Sequence, residues 1–214
     1  MASVTDFSER FDLGGFLRTY QRMAILPSRD IFLLLEGKYD FAANPYDPIV
    51  DFYDLQIIVT DNFPNEVPAV YETAGRIPRK ADYHINDDGT LCLGSRLRVL
   101  WILSKFPTLM GFAEKCLTPY LYAISYKFKY GGSLPFGELA HGTPGELSDY
   151  ADLFGLENEK QVRMVIQYLG MKKRRANKLP CPCGCGHRLG KCRFNWRIRQ
   201  FRQLAERGYF RSLL

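Results

Sequence analysis

No run of the 214-residue chain approaches the 18 apolar residues a bilayer-spanning helix needs, and Met1–Glu9 lacks the charged and apolar regions of a secretory signal. A soluble, cytoplasmic protein with no membrane attachment is therefore expected. Missing as well is a G-x-G-x-x-G run after a strand, so the chain carries no such nucleotide-binding fingerprint. Acid is nearly absent from the last stretch. From Met171 onward there are thirteen Lys or Arg and only Glu206 against them, a formal +12, which leaves the first 170 residues at −6 within a whole-chain charge of +6. Such an asymmetry implies two parts that act separately, the second with an affinity for acidic partners, nucleic acid among them.

What is present is enough for a core: 46% of residues are hydrophobic and 14% aromatic. Phe11, Leu13, Phe16, Leu17, Tyr20, Met23 and Ala24 recur at roughly helical spacing and predict a helix over 6–26, ended by Pro27. Apolar and β-branched runs at 31–35, 50–60 and 69–73 predict strands. Between the last two, Asn62-Phe63-Pro64-Asn65-Glu66-Val67-Pro68 places two prolines where neither helix nor central strand can hold them, so an irregular connection is expected. Leu97–Phe106 is an apolar run around Trp101, and Thr108 caps a predicted core helix over 109–128. Gly131–Pro144 closes the first domain. Two short helices over 148–169 and a basic helix over 195–213, with Trp196, Phe201, Leu204 and Phe210, complete the pattern. The expected organisation is a first domain at 1–130, a linker and helical extension at 131–170, and a basic tail at 171–214.

Chemistry concentrates in two places. Asp82-Tyr83-His84-Ile85-Asn86-Asp87-Asp88-Gly89-Thr90-Leu91-Cys92-Leu93-Gly94 reverses at Asn-Asp-Asp-Gly, where Asn and Asp bond their own backbone and Gly accepts positive φ. One thiol, Cys92, thus leaves a tight turn eight residues after one imidazole, His84. Free cysteines are most often small buried hydrophobes, and Cys116, inside the predicted core helix, is read that way.

The order helix, strands, proline-bearing connection, strand, turn, cysteine, tryptophan segment and long helix resembles the ubiquitin-conjugating (UBC-like) family over residues 10–128. Phe63-Pro64 to Pro68 is similar to that family's YPxxPP element. Asn86 and Gly89-Thr90-Leu91-Cys92-Leu93 resemble its NxxGxICL run, and Trp101 falls within one residue of its tryptophan. The resemblance implies an α+β fold, an antiparallel sheet with flanking helices, and a transferase in which Cys92 carries a partner's C-terminus as a thioester before an amine takes it. His84 stands where the family has the Asn of its HPN motif, with Tyr83 and Asp82 before it, so His84 is the expected oxyanion donor or base. Asp-Gly-Thr-Leu-Cys-Leu-Gly after Glu72–Arg79 is similar to divergent bacterial members associated with cyclic-oligonucleotide antiphage signalling (CBASS). These imply a cGAS/DncV-like nucleotidyltransferase or a ubiquitin-like protein as the tailed partner; the missing nucleotide-binding fingerprint means that activation comes from elsewhere, an activating enzyme being one candidate, or that the partner is joined by an unusual route.

The second place is Cys181-Pro182-Cys183-Gly184-Cys185-Gly186-His187 followed by Cys192, four thiols in twelve residues. Disulfides between such near neighbours would be strained, and the spacing reads as a structural zinc site. CPCGCGHRLGKC resembles the SEC-C zinc motif but ends in Arg193 where that motif has its last ligand. Cys185 is the first choice for the missing ligand and His187 the second. Four protein ligands leave no open position, so the metal is expected to staple a helical C-terminal extension rather than catalyse. Two other functions fit these residues: a cysteine hydrolase using Cys92 and His84 with Asp82 or Asp87 orienting the imidazole, and a non-enzymatic adaptor whose zinc tail binds nucleic acid or protein.

Overall fold

The computed structural model describes residues 8–28, 32–135 and 143–214. His141, for which the sequence suggests no chemistry, and half of the expected boundary segment 131–144 lie outside the described residues. The chain divides into two compact units, Met1–Glu138 and Leu139–Leu214. Among the described residues no helix is long and apolar enough to cross a membrane.

The first unit is α+β. A helix α1 (Leu13–Thr19) leads into strands β1 (Met23–Leu26), β2 (Leu33–Ala43), β3 (Ile49–Val59) and β4 (Ala69–Glu72), which form one antiparallel sheet in the order β1-β2-β3-β4. After β4 come a 3-10 turn at Ala81–Tyr83, then α2 (Arg96–Leu103) and α3 (Leu109–Phe112). A π-helical turn at Ala113–Leu117 continues α3 into α4 (Thr118–Tyr130).

β2 and β3 are the long central pair, in register from Leu33 opposite Val59 to Ala43 opposite Ile49. Along β3, Tyr53, Leu55, Ile57 and Val59 are buried while the residues between them are not, the period of two that turns one sheet face inward. Phe112, Leu117, Leu121 and Ile124 join that face in a single apolar cluster with Leu35, Tyr39 and Val70. Tyr20 stacks on Tyr39 with ring centroids 4.2 Å apart, and the Tyr39 hydroxyl lies 2.8 Å from Thr118 Oγ1. Gly37 is required in β2: its φ is 144°, and a Cβ there would meet the Arg22 carbonyl oxygen at 2.1 Å.

The expected helix over 6–26 is shorter than its spacing suggests. α1 ends at Thr19, and Met23–Leu26 instead pairs with β2 from Met23 opposite Gly37 to Leu26 opposite Leu34. Met23 is buried in both readings, so apolar spacing could not tell them apart. The proline segment is irregular, as expected, with a cis Phe63-Pro64 bond and Phe63 packed edge-on to Phe11 at 5.2 Å.

In the second unit, α5 (Thr143–Phe154) and α6 (Glu159–Gly170) precede a short α7 (Lys173–Ala176), the cysteine loop, α8 (Phe194–Phe201) and α9 (Arg207–Ser212). The single basic helix expected over 195–213 is thus broken in two between Phe201 and Arg207. Tyr150, Phe154, Val162, Val165, Ile166, Leu169, Ile198, Phe201 and Phe210 are all buried. Phe154 meets Phe201 edge-on at 4.9 Å. The Arg202 guanidinium, held at the break, donates to the carbonyls of Tyr168, Leu169 and Met171 and so satisfies the open C-terminus of α6.

A partly exposed ion pair with a helix hydroxyl fastens sheet to helix in the first unit. Asp51 on β3 accepts from Arg76 at 2.8 and 2.7 Å and from Ser125 Oγ of α4 at 2.7 Å. Burial pushes the Asp51 carboxyl up, but Arg76, Ser125 and the Phe52 amide outweigh it, so the net shift is below the ordinary carboxylate range. With the folded value depressed, its stabilisation is complete at neutral pH and disappears as pH falls from the ordinary carboxylate range through the folded value. An Asp51→Asn variant should lose about 2 kcal/mol at pH 7 in urea unfolding, and its stability should fall less steeply with acid than that of the wild type. Parallel acid limbs would exclude this role.

Candidate functional site

Both chemistry-bearing stretches fold into tight loops, one in each unit. In the first unit, residues 84–92 form a small hairpin. Ile85 and Leu91 make an antiparallel bridge, the Asn86 amide donates to the Thr90 carbonyl at 2.9 Å, and the Cys92 amide donates to the His84 carbonyl at 2.8 Å. His84 and Cys92 are therefore opposite each other in register, and the backbone joins the two residues singled out from the sequence. His84 has φ 51°, a left-handed conformation uncommon for a side-chain-bearing residue.

The turn is held from within by the residues that predicted it. Asp88 Oδ1 accepts from the Thr90 amide at 2.9 Å and from Thr90 Oγ1 at 2.6 Å, while Asn86 Nδ2 donates to Thr90 Oγ1 at 2.9 Å. These bonds hold the Asp88 carboxyl below its usual range, Thr90 being the leading cause. Asp88 is thereby committed to the turn. The hairpin is also docked to the sheet, because the Leu91 amide donates to the Val70 carbonyl of β4 at 2.8 Å. Leu91 is buried and Cys92 is only partly so, which seats the segment against the core without fully enclosing the cysteine. Beyond it, Gly94 at φ 122° turns the chain into α2, whose N-terminus is capped by Ser95 accepting from the Arg98 amide.

Two residues of α4 that the sequence did not single out hold the start of the hairpin. The Tyr120 hydroxyl donates to the Tyr83 carbonyl at 2.8 Å, and Lys127 Nζ donates to the Asp82 carbonyl at 2.9 Å while lying 5.0 Å from the centre of the Tyr83 ring. Burial pushes the Tyr120 hydroxyl up from its ordinary value, and negative charge at Cys92, Tyr53 and Glu72 adds to the shift. Tyr120 is therefore a protonated donor within electrostatic reach of Cys92. Nothing local in the sequence marks it, since it sits in a densely apolar helix far from the turn. Cys116 is buried and its thiol is pushed up to about 12 by burial, which leaves it protonated and unreactive.

In the second unit the four expected cysteines come together. Cys181, Cys183, Cys185 and Cys192 place their sulfurs within 4.8 Å of one another, in a group that could hold a metal ion. The pairs Cys181–Cys183, Cys185–Cys192 and Cys183–Cys192 lie at 3.2, 3.6 and 3.7 Å, too long for a disulfide of about 2.05 Å. Backbone pairing makes the loop: the Cys181 amide donates to the His187 carbonyl at 2.8 Å, and Pro180 bridges to Arg188. The Tyr168 hydroxyl ties Pro180 to α6 at 3.1 Å. His187 stands outside the sulfur group, with Nδ1 3.0 Å from the Cys185 carbonyl. Its backbone and ring bring the Cys185 thiol down to about 6, whereas burial pushes Cys181 up.

No protein-family model, curated protein or solved structure matches the chain. Its function has to be argued from these two loops.

The clamp from α4 makes a local prediction. A Tyr120→Phe variant leaves the Tyr83 carbonyl without its donor and should cost about 1 kcal/mol of stability. Amide exchange at Leu91 and Cys92 should accelerate more than exchange in the β2–β3 ladder. Uniform acceleration, or none, would exclude a specific hold on the hairpin.

Proposed function

We propose that the chain is a UBC-like acyl transferase: Cys92 carries the C-terminus of a partner protein as a thioester and passes it to an amine. The observation that carries this reading is a partly exposed cysteine on a hairpin pinned to the last strand of a four-stranded antiparallel meander, opposite His84 in register. In the first step the Cys92 thiolate attacks the activated carbonyl, the C–S bond forms and the activating group leaves. In the second, an amine attacks the thioester, the C–N bond forms, the amine gives up a proton and the C–S bond breaks to restore the thiolate.

Each step passes through a tetrahedral oxyanion that a positioned donor would stabilise. His84 is assigned that role, or the acceptance of the amine proton, with Tyr120 and Lys127 holding the backbone that bears it. A cGAS/DncV-like nucleotidyltransferase or a ubiquitin-like protein is the partner the family resemblance indicates, in antiphage defence, with activation from an activating enzyme or by another route.

The test uses ubiquitin carrying a C-terminal thioester of a small thiol. Wild-type protein should give an adduct that reductant removes, Cys92→Ala none, and Cys116→Ala the full amount. Release of free ubiquitin with no accumulating adduct would instead identify a hydrolase. His84→Ala should still load but discharge to an amine about 100-fold more slowly. His84→Asn should recover discharge if the role is oxyanion donation and remain slow if it is proton acceptance. Normal discharge by His84→Ala would remove His84 from the mechanism.

For the second unit we infer a structural zinc site made by Cys181, Cys183, Cys185 and Cys192. A zinc ion about 2.3 Å from each of four thiolates sets sulfur–sulfur edges of about 3.8 Å, and three of the observed separations are 3.2, 3.6 and 3.7 Å. Zinc here would cross-link the loop to the start of α8, where the Phe194 amide already points at Cys192 Sγ at 3.4 Å. Native mass spectrometry of freshly purified protein should find one zinc per chain, and Cys181→Ser should lose it together with the helicity of the second unit. Protein that is metal-free yet fully folded would overturn the assignment.

A further inference from the structure

The second unit carries a surface that neither thioester transfer nor a structural metal uses. Trp196, on α8, is 66% exposed. At about 3.6 residues per turn its ring occupies the middle of the helix face opposite Ile198 and Phe201, both buried. An amphipathic helix places its largest apolar side chain inward; α8 places it outward. Arg193 and Arg199 lie three residues to either side on the same face, and Arg193, Arg197, Arg199 and the neighbouring Lys191 are all exposed. The platform is well anchored, since Phe201 packs on Phe154 and the Phe194 amide meets Cys192 of the sulfur cluster. The same unit has a second cationic hollow, lined by Leu169, Lys172, Lys173, Arg202, Ala205 and Arg207.

We propose that this face of α8 binds single-stranded nucleic acid, with Trp196 stacking on a base and Arg193 and Arg199 neutralising the phosphates on either side. Charge complementarity fixes the sign of the ligand: from Met171 on, thirteen cationic side chains face one acidic residue. The ring fixes its class. A flat, exposed indole between guanidinium groups matches an unstacked base between two phosphates, whereas duplex DNA buries its base faces and an acidic peptide has none. The contact is sequence-tolerant, because every base presents a π-face. This assignment does not depend on the chemistry at Cys92.

The experiment titrates the full-length protein, as purified, into fluorescein-labelled oligo(dT), oligo(U) and a duplex of the same length, each of about 20 nucleotides, reading anisotropy and the intrinsic fluorescence of the protein over a series of salt concentrations. Wild-type protein should bind the single strands at least tenfold more tightly than the duplex and show quenched indole emission. Trp196→Ala should weaken single-strand binding about tenfold or more, and Trp196→Phe should recover most of it. Arg193→Ala and Arg199→Ala should each lower the slope of log affinity against log salt by about 1. Melting temperatures of these surface variants should match the wild type. Comparison of oligo(dT) with oligo(U) distinguishes DNA from RNA as the preferred ligand, and either preference supports the proposal. Equal affinity for duplex and single strand, displacement by poly-glutamate as effective as by oligonucleotide, or binding unchanged in Trp196→Ala would each overturn it. So would absence of binding by wild-type protein at low salt.

Discussion

The ladder between β2 and β3 is what the first unit depends on. Its register, from Leu33 opposite Val59 to Ala43 opposite Ile49, decides which side chains face the helices. A slip of one residue would turn Tyr53, Leu55, Ile57 and Val59 outward and expose Asp54 and Gln56 to the core. The pairing of β3 with β4 carries the register one strand further, from Leu55 opposite Glu72 to Ile58 opposite Ala69. Val70 then offers its carbonyl to Leu91, so the position of Cys92 follows from the sheet register through a single hydrogen bond. The hairpin adds little surface of its own. It borrows rigidity from a strand on one side and from Tyr120 and Lys127 of α4 on the other.

That arrangement suits the proposed transfer, in which a nucleophile must meet a large, flexible chain terminus. A thiol on a long loop would lose orientation, and one within the core would lose access, as Cys116 does. Cys92 avoids both, with its neighbours Leu91 and Leu93 packed toward the core. The left-handed φ of His84 belongs to the same geometry, because its carbonyl takes the Cys92 amide while its Cα direction departs from that of a regular strand.

Where the amino-acid sequence was legible, the physics was local. Asn86, Asp88 and Gly89 announce a turn through bonds that span at most four residues, and those bonds are present. Four cysteines within twelve residues can scarcely avoid one another, and they cluster. Apolar runs marked three of the four strands, whereas the antiparallel sheet with flanking helices was an implication of the family resemblance. Legibility failed where two distant elements compete for one segment. Met23–Leu26 reads as the end of a helix until Gly37 opens a place for it against β2, and Tyr120 reads as core until the Tyr83 carbonyl is found over its hydroxyl. The basic helix over 195–213 failed similarly: its apolar residues were counted together, but Arg202 spends its guanidinium on the end of α6 and the helix breaks there.

That break also explains why Trp196 faces outward. If residues 194–212 ran as one helix, Trp196, Gln203 and Phe210 would fall on one stripe at seven-residue spacing, and burial of Phe210 would draw Trp196 in with it. With the helix interrupted, α9 buries Phe210 against α6 independently, and α8 orients by Ile198 and Phe201 alone. The capping of α6 by Arg202 thus separates two helices that would otherwise share a face. It leaves an indole among arginines on the solvent side, beside a sulfur cluster that fixes where α8 begins. Packing within the second unit, rather than its net charge, determines which of its side chains a partner can reach.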